Sequence, residues 1–166
     1  DKVIMNYRLF SAENIEDITF LQQKCKQVQL LFGDSDGRAT FPHETQKLLG
    51  ALFDFVKKNN GLGMSAPQLG VNERVFVMRK PWNGNKIISV VNPRVLYMSG
   101  ANKSVERCFS FPHLDVIVER PNIIYVEYTD GDGFLVNKEV LLGMNARIFL
   151  HEIAHLDGEL FINKNG

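Results

Sequence analysis

The chain has 166 residues, 45% of them hydrophobic and 23% charged, which suits one folded domain with a sizeable core and excludes a wholly disordered chain. Lys and Arg number 19 against 19 Asp and Glu, so the net charge is zero and a broad basic footprint for nucleic acid is absent. No apolar run is long enough for a membrane-spanning helix, and no signal-peptide pattern follows Asp1. Ile15, Ile18, Leu21, Cys25, Val28 and Phe32 recur at steps of three and four, which predicts a helix over 15–32. Asn14 is its expected N-cap, with Glu16 and Asp17 in the first turn. Residues 33–38, GDSDGR, break the pattern as an exposed loop. A second helix is expected from His43 to Lys58, with Leu48, Leu52 and Phe55 on one stripe and Asn59-Asn60-Gly61 ending it. From Arg74 the period changes. Residues 75–78, 87–91, 95–97, 116–118 and 123–128 read as strands, Asp130 to Gly133 as a turn, and 134–140 as a returning strand. Residues 145–156 read as a helix stopped near Gly158, and 160–162 as a last short strand. Helices flanking hairpin-linked strands predict an α+β domain with a mostly antiparallel sheet, one domain over 1–166.

The most informative short motif is His151-Glu152-Ile153-Ala154-His155. On a helix, residues i and i+4 share a face, so both imidazoles can grip one metal ion. Glu152 then stands where a carboxylate can take a proton from an attacking water. The bland reading is a pair of surface histidines, but Ile148, Phe149, Ile153 and Leu156 make the helix mostly apolar and favour a buried site. A catalytic zinc-type centre uses three protein ligands and keeps one position open. The longer metzincin pattern fails because position 161 is Phe161. Little sequence follows His155, so the third ligand is expected upstream, among Cys108, His43, His113 and assorted carboxylates. His43 reads as an exposed residue at a helix start and His113 as a loop residue. Cys108 lies between strands, and a small buried hydrophobe is its bland reading. A disulfide between Cys25 and Cys108 is arithmetically possible, although two cysteines make no disulfide scaffold and favour a reducing compartment. A third segment, Gly61 to Gly70, carries three glycines and a proline but neither a Walker loop nor a dinucleotide fingerprint, and reads alone as a structural turn.

Taken together, GLGMSAPQLG at 61–70, ERCFS at 106–110 and HEIAHLDG at 151–158 resemble the peptide deformylase family, which carries GxGxAAPQxG, EGCLS and HExxHxxG in that order. The resemblance covers roughly residues 61–163. It implies a deformylase-like α+β fold packed around the HExxH helix. The implied activity is metal-dependent hydrolysis of the N-formyl group from the N-terminal methionine of nascent polypeptides. Implied metal ligands are Cys108, His151 and His155, with Glu152 as general base and Gln68 and the Phe109 N–H as oxyanion donors. The substrate would add as a strand beside Gly61, Leu62, Gly63 and Arg107, with its methionine in an apolar pocket by the metal helix. Fe²⁺ is the implied native ion, and Zn²⁺, Ni²⁺ or Co²⁺ also serve. The implied partners are N-formylmethionyl peptides on nascent chains at the ribosome, met by a soluble monomer without nucleic-acid or membrane binding. The implied setting is the bacterial cytoplasm, a mitochondrion or a plastid.

This chain departs from the pattern at several places. The family's glycine before the cysteine is Arg107, where a long cation meets the docking edge. The Asp inside HExxH is Ala154, which would leave the matching arginine, Arg120, without that partner. Phe109 replaces a leucine and Ser65 an alanine. The helix expected over 15–32 and the loop over 33–42 read as additions. These departures motivate a rival expectation, a deformylase-like protein that binds metal and peptide N-termini with little catalysis. A metalloprotease is a third.

Overall fold

The computed structural model describes residues 3–4, 6–33 and 37–160. Two minor hairpins stand at the start, β1 (Val3–Ile4) with β2 (Tyr7–Arg8), and β3 (Leu31–Phe32) with β4 (Ala39–Thr40). Between them lies α1 (Ile15–Leu21), capped as expected by Asn14, whose side chain accepts from the Glu16 and Asp17 N–H groups. The helix stops at Leu21 instead of running to residue 32. Beyond it the backbone is drawn out to distant partners: Cys25 N–H donates to Leu156 O, Lys26 N–H to the Asn72 side chain, and Val28 N–H to the Asn92 side chain. Cys25 and Val28 are buried as the stripe requires, but by these tertiary bonds and not by helical periodicity. Of the expected 33–38 loop, Gly33, Gly37 and Arg38 are exposed, and 34–36 lie outside the described residues.

The second helix, α2 (His43–Lys58), has the expected bounds, and Leu48, Leu52, Phe55 and Val56 are buried on its inner face. Asn60 ends it in the left-handed region at φ 52°. The main sheet is built from β5 (Gly63–Ser65), β6 (Val75–Lys80), β7 (Lys86–Ser99), β10 (Ile123–Asp130) and β11 (Leu135–Leu142), in the order β11-β10-β7-β6-β5 and antiparallel throughout. The strands expected over 87–91 and 95–97 are one strand. Asn92, at φ 53°, and Pro93 form an irregularity that the ladder spans, and the Asn92 side chain bonds the Val28 backbone on both its N–H and C=O.

Residues 143–156 form α3 (Gly143–Leu156), with Gly158 at φ 74° just past its end. The strand expected over 160–162 is absent at Leu160, and 161–162 lie outside the described residues. Successive β6 residues serve opposite faces: Phe76 and Met78 pack with Phe149, Ile153 and Leu156 of α3, while Val75 and Val77 pack with Leu48, Leu52 and Val56 of α2. The sheet is therefore clad on both sides, which buries α3 from Asn145 to Leu156. A separate hairpin, β8 (Asn102–Cys108) and β9 (Phe111–Arg120), shares no ladder with the main sheet among the described residues. β8 carries little hydrophobic signal because its sequence, NKSVERC, is polar and mostly solvent-facing. Cys108 accordingly ends a strand, where the sequence placed it between strands.

Candidate active site

Four segments converge beside α3. The helix repeat sets His151 and His155 on one face, and both are buried. β8 delivers Cys108 from the hairpin. Its Sγ lies 3.2 Å from His155 Nε2, and one ligand atom from each of Cys108, His151 and His155 falls within 4.8 Å of the others. Ions that take sulfur at about 2.3 Å and imidazole at about 2.0–2.1 Å can span such a group, so this donor set fits one divalent metal. Both cysteines are free thiols, which removes the disulfide alternative. His43 is exposed at the start of α2, and His113 is exposed at the rim of the cleft; neither joins the group.

The imidazoles sit in opposite electrostatic settings. Burial disfavours a charged His151, but hydrogen bonds to Cys108 and Glu106 outweigh it and push the group up to about 10. Burial, then the charge of His151, holds His155 well below the ordinary imidazole value. His151 Nδ1 meets Glu106 Oε1 at 2.7 Å, which leaves Nε2 as its ligand atom. Glu106 also receives Arg120 Nε at 2.5 Å and Nη2 at 2.8 Å. Arg120 thus has a carboxylate partner despite Ala154, which corrects the sequence expectation. Burial would raise the Glu106 carboxyl, yet bonds from Arg120 and His151 hold it at about 2.

Glu152 follows His151 and faces the cleft. Burial raises its carboxyl to about 7, partly opposed by His151. Its Oε1 has no hydrogen-bond partner among the described residues, an oxygen free to handle a proton. Its other side abuts Gly63, where a Cβ would come within 2.8 Å of Oε2. Gln68 comes from a short 3₁₀ turn, Ala66–Leu69, that leaves β5. The Ser65 N–H and hydroxyl both donate to Gln68 Oε1, at 3.0 and 3.1 Å. This fixes the amide so that Nε2 points at Cys108 Sγ, 3.4 Å away, and Ser110 Oγ, 3.2 Å away. Ser65 therefore adds a second donor that orients the amide. Phe109 packs edge-on against Phe55, with ring centroids 4.8 Å apart.

A cleft of about 670 Å³ opens onto this group. Gly61, Leu62, Gly63 and Arg107 line it together with Cys108, Phe109, His151 and Glu152. Val105, Phe111, Leu114, Met144 and Ile148 make its apolar wall. Arg107 is three-quarters exposed and pairs with Asp115 across the hairpin at 2.7 Å. Sequence reasoning overlooked Glu106, Ser110 and Arg147. The first two stand inside the quoted ERCFS segment, and Arg147 precedes His151 by the helix repeat that finds His155.

The polypeptide deformylase family model matches residues 14–165. A peptide deformylase of Thermotoga petrophila is 36% identical over 125 residues, covering 75% of this chain and 74% of that protein. The crystal structure of a Thermotoga maritima peptide deformylase superposes with a TM-score of 0.80 at 30% identity, over 96% of this chain and 97% of that one. A plant peptide deformylase gives a TM-score of 0.80 at 28% identity, over 99% and 83%.

Proposed function

This chain belongs to the polypeptide deformylase family, and from that premise we propose how its residues divide the reaction and where it works. The enzyme is a metal-dependent hydrolase that removes the N-formyl group from the N-terminal methionine of nascent polypeptides. The observation that carries the residue assignment is a buried Glu152 with an oxygen that has no hydrogen-bond partner among the described residues, set beside a Cys-His-His group that fits one divalent ion. Such an ion, held by Cys108, His151 and His155, supplies Lewis acidity and an activated water when bound.

The remaining chemistry belongs to side chains and backbone. The peptide lies along the edge formed by Gly61, Leu62 and Gly63, with Arg107 opposite, and its first side chain enters the apolar wall at Met144 and Ile148. Glu152 takes the proton of the attacking water and returns it to the departing amine, leaving formate and a free N-terminus. Its burial in the cleft wall, with one oxygen facing no donor among the described residues, leaves it able to carry the proton between the two steps. Gln68 Nε2 and the Phe109 N–H donate to the oxygen that gains negative charge. We assign Fe²⁺ as the native ion, with Zn²⁺, Ni²⁺ or Co²⁺ as substitutes, since thiolate and imidazole accept all four. Formylated nascent chains at the ribosome are the substrates, met by a monomer in the bacterial cytoplasm or an organelle. No helix among the described residues is long and apolar enough to cross a membrane.

Glu152→Gln tests the assignment. Deformylation of a formyl-Met peptide is expected to fall about 10²–10⁴-fold while the bound metal, measured directly, stays the same. Full activity would remove Glu152 from proton transfer, and lost metal would give it a ligand's role.

A further inference from the structure

The proposed ligands are divided between two structural units. His151 and His155 ride on α3, while Cys108 ends β8 in a hairpin with no ladder to the main sheet among the described residues. The hairpin's buried apolar residues Phe111, Val116 and Val118 cluster with Leu21 and Leu160, not with α3. Metal–ligand distances tolerate only about 0.2 Å, so hairpin and helix must be registered closely.

Arg147 spans that gap. It lies one turn before His151 on the same helix face, and its side chain is 8% exposed. Nη1 donates to Glu106 Oε2 at 2.5 Å and to Val118 O at 3.1 Å, and Nη2 donates to Asn102 O at 2.6 Å. Its acceptors therefore sit on both strands of the hairpin, including the first residue of β8 and Glu106, two residues before Cys108. Arg120 also grips Glu106, but it belongs to β9 and braces the hairpin internally. His151 makes its own bond to Glu106, yet it is one of the groups to be positioned.

We propose that Arg147 is a positioning residue that registers the cysteine-bearing hairpin against the histidine helix, so that the three ligand atoms meet at one point. This rests on Cys108, His151 and His155 being the ligand set. A planar fork with five donors can hold three acceptors in fixed directions, which a lysine cannot.

Co²⁺ is the probe, added without oxygen to metal-free protein and followed by visible and near-ultraviolet absorption. A cobalt-thiolate bond gives a charge-transfer band that imidazole ligands do not. In Arg147→Met, Co²⁺ binding is expected to weaken about 10–100-fold, with the charge-transfer band reduced relative to the ligand-field bands. Arg147→Lys keeps the charge but not the fork, and is expected to lose affinity by at least about threefold; it decides the point if the Met variant does not fold. Arg74→Met is the control, since the buried Arg74 bonds the Leu156 carbonyl and Asp157 at the C-terminal end of α3, and bonds no hairpin residue among the described residues. It should keep the wild-type affinity and band. The proposal is overturned if the Arg147 variants that fold bind Co²⁺ like wild type, or if Arg74→Met loses as much. A wild-type protein that binds Co²⁺ with no charge-transfer band would instead refute Cys108 as a ligand, the premise beneath it.

Discussion

Gly63→Ala isolates the placement of Glu152 from its chemistry. The added Cβ would stand 2.8 Å from Glu152 Oε2 and 3.1 Å from both Cδ and Cγ, where ordinary contact begins at 3.4 Å. The carboxylate must therefore retreat by roughly 0.5 Å inside a buried site. The backbone itself should not object, because Gly63 pairs with Met78 in a strand and has no positive φ. A misplacement of about 1 Å in an active site can cost about 10²-fold, so half of that predicts roughly a tenfold loss in kcat, about 1.4 kcal/mol in the barrier. Steady-state kinetics on a formyl-Met peptide, with metal content matched between variant and wild type, measure it. A kcat within twofold of wild type would show that the position of the carboxylate does not limit the reaction. A rise in KM alone would move the role of Gly63 to peptide docking.

Arg107→Gly should raise kcat/KM on short formyl-Met peptides by about threefold to tenfold, because a long cation leaves the docking edge. Its exposed pair with Asp115 adds little stability, so the melting temperature should hardly move, and an unchanged kcat/KM would end the steric explanation. Glu106 predicts acid sensitivity: its folded value of about 2 lies below the ordinary carboxyl value of 4.5, so its contribution is complete above pH 4.5 and drains away as pH falls toward 2. That contribution is on the order of 3 kcal/mol, and urea unfolding of metal-free protein across this window should fall less steeply in Glu106→Gln; equal slopes would refute it. Metal removal by a chelator should expose Cys108 to iodoacetamide while Cys25, pushed up to about 11 by burial, stays unmodified. Peptide mass mapping reads the order, and Cys25 reacting first would count against metal protection of Cys108.

Local chemistry was legible wherever it is set by short-range periodicity. The spacing of His151 and His155 decides that they share a helix face, the Leu48-Leu52-Phe55 stripe decides the bounds and inner face of α2, and Asn14 caps α1 through its own neighbours. The ordered motifs likewise carried the family, because each is a short contiguous run that can be read without the fold. What the tertiary structure decided lies in contacts between residues far apart in the chain. The 15–32 stripe looked helical because Leu21, Cys25 and Val28 are buried, but backbone bonds to Leu156, Asn72 and Asn92 pull the second half out of the helix. β8 has no apolar alternation to announce it, since it is held by its partner strand and by Glu106. Arg120 looked orphaned because position 154 is alanine, whereas its carboxylate comes from another strand. The link between Arg147 and the hairpin was equally invisible: hydrogen bonds over separations of 29 to 45 residues follow from chain crossing, which no local pattern encodes. Sequence by itself thus supplied the groups proposed to react, and the fold decided which carboxylate steadies which cation and how Cys108 reaches the histidines.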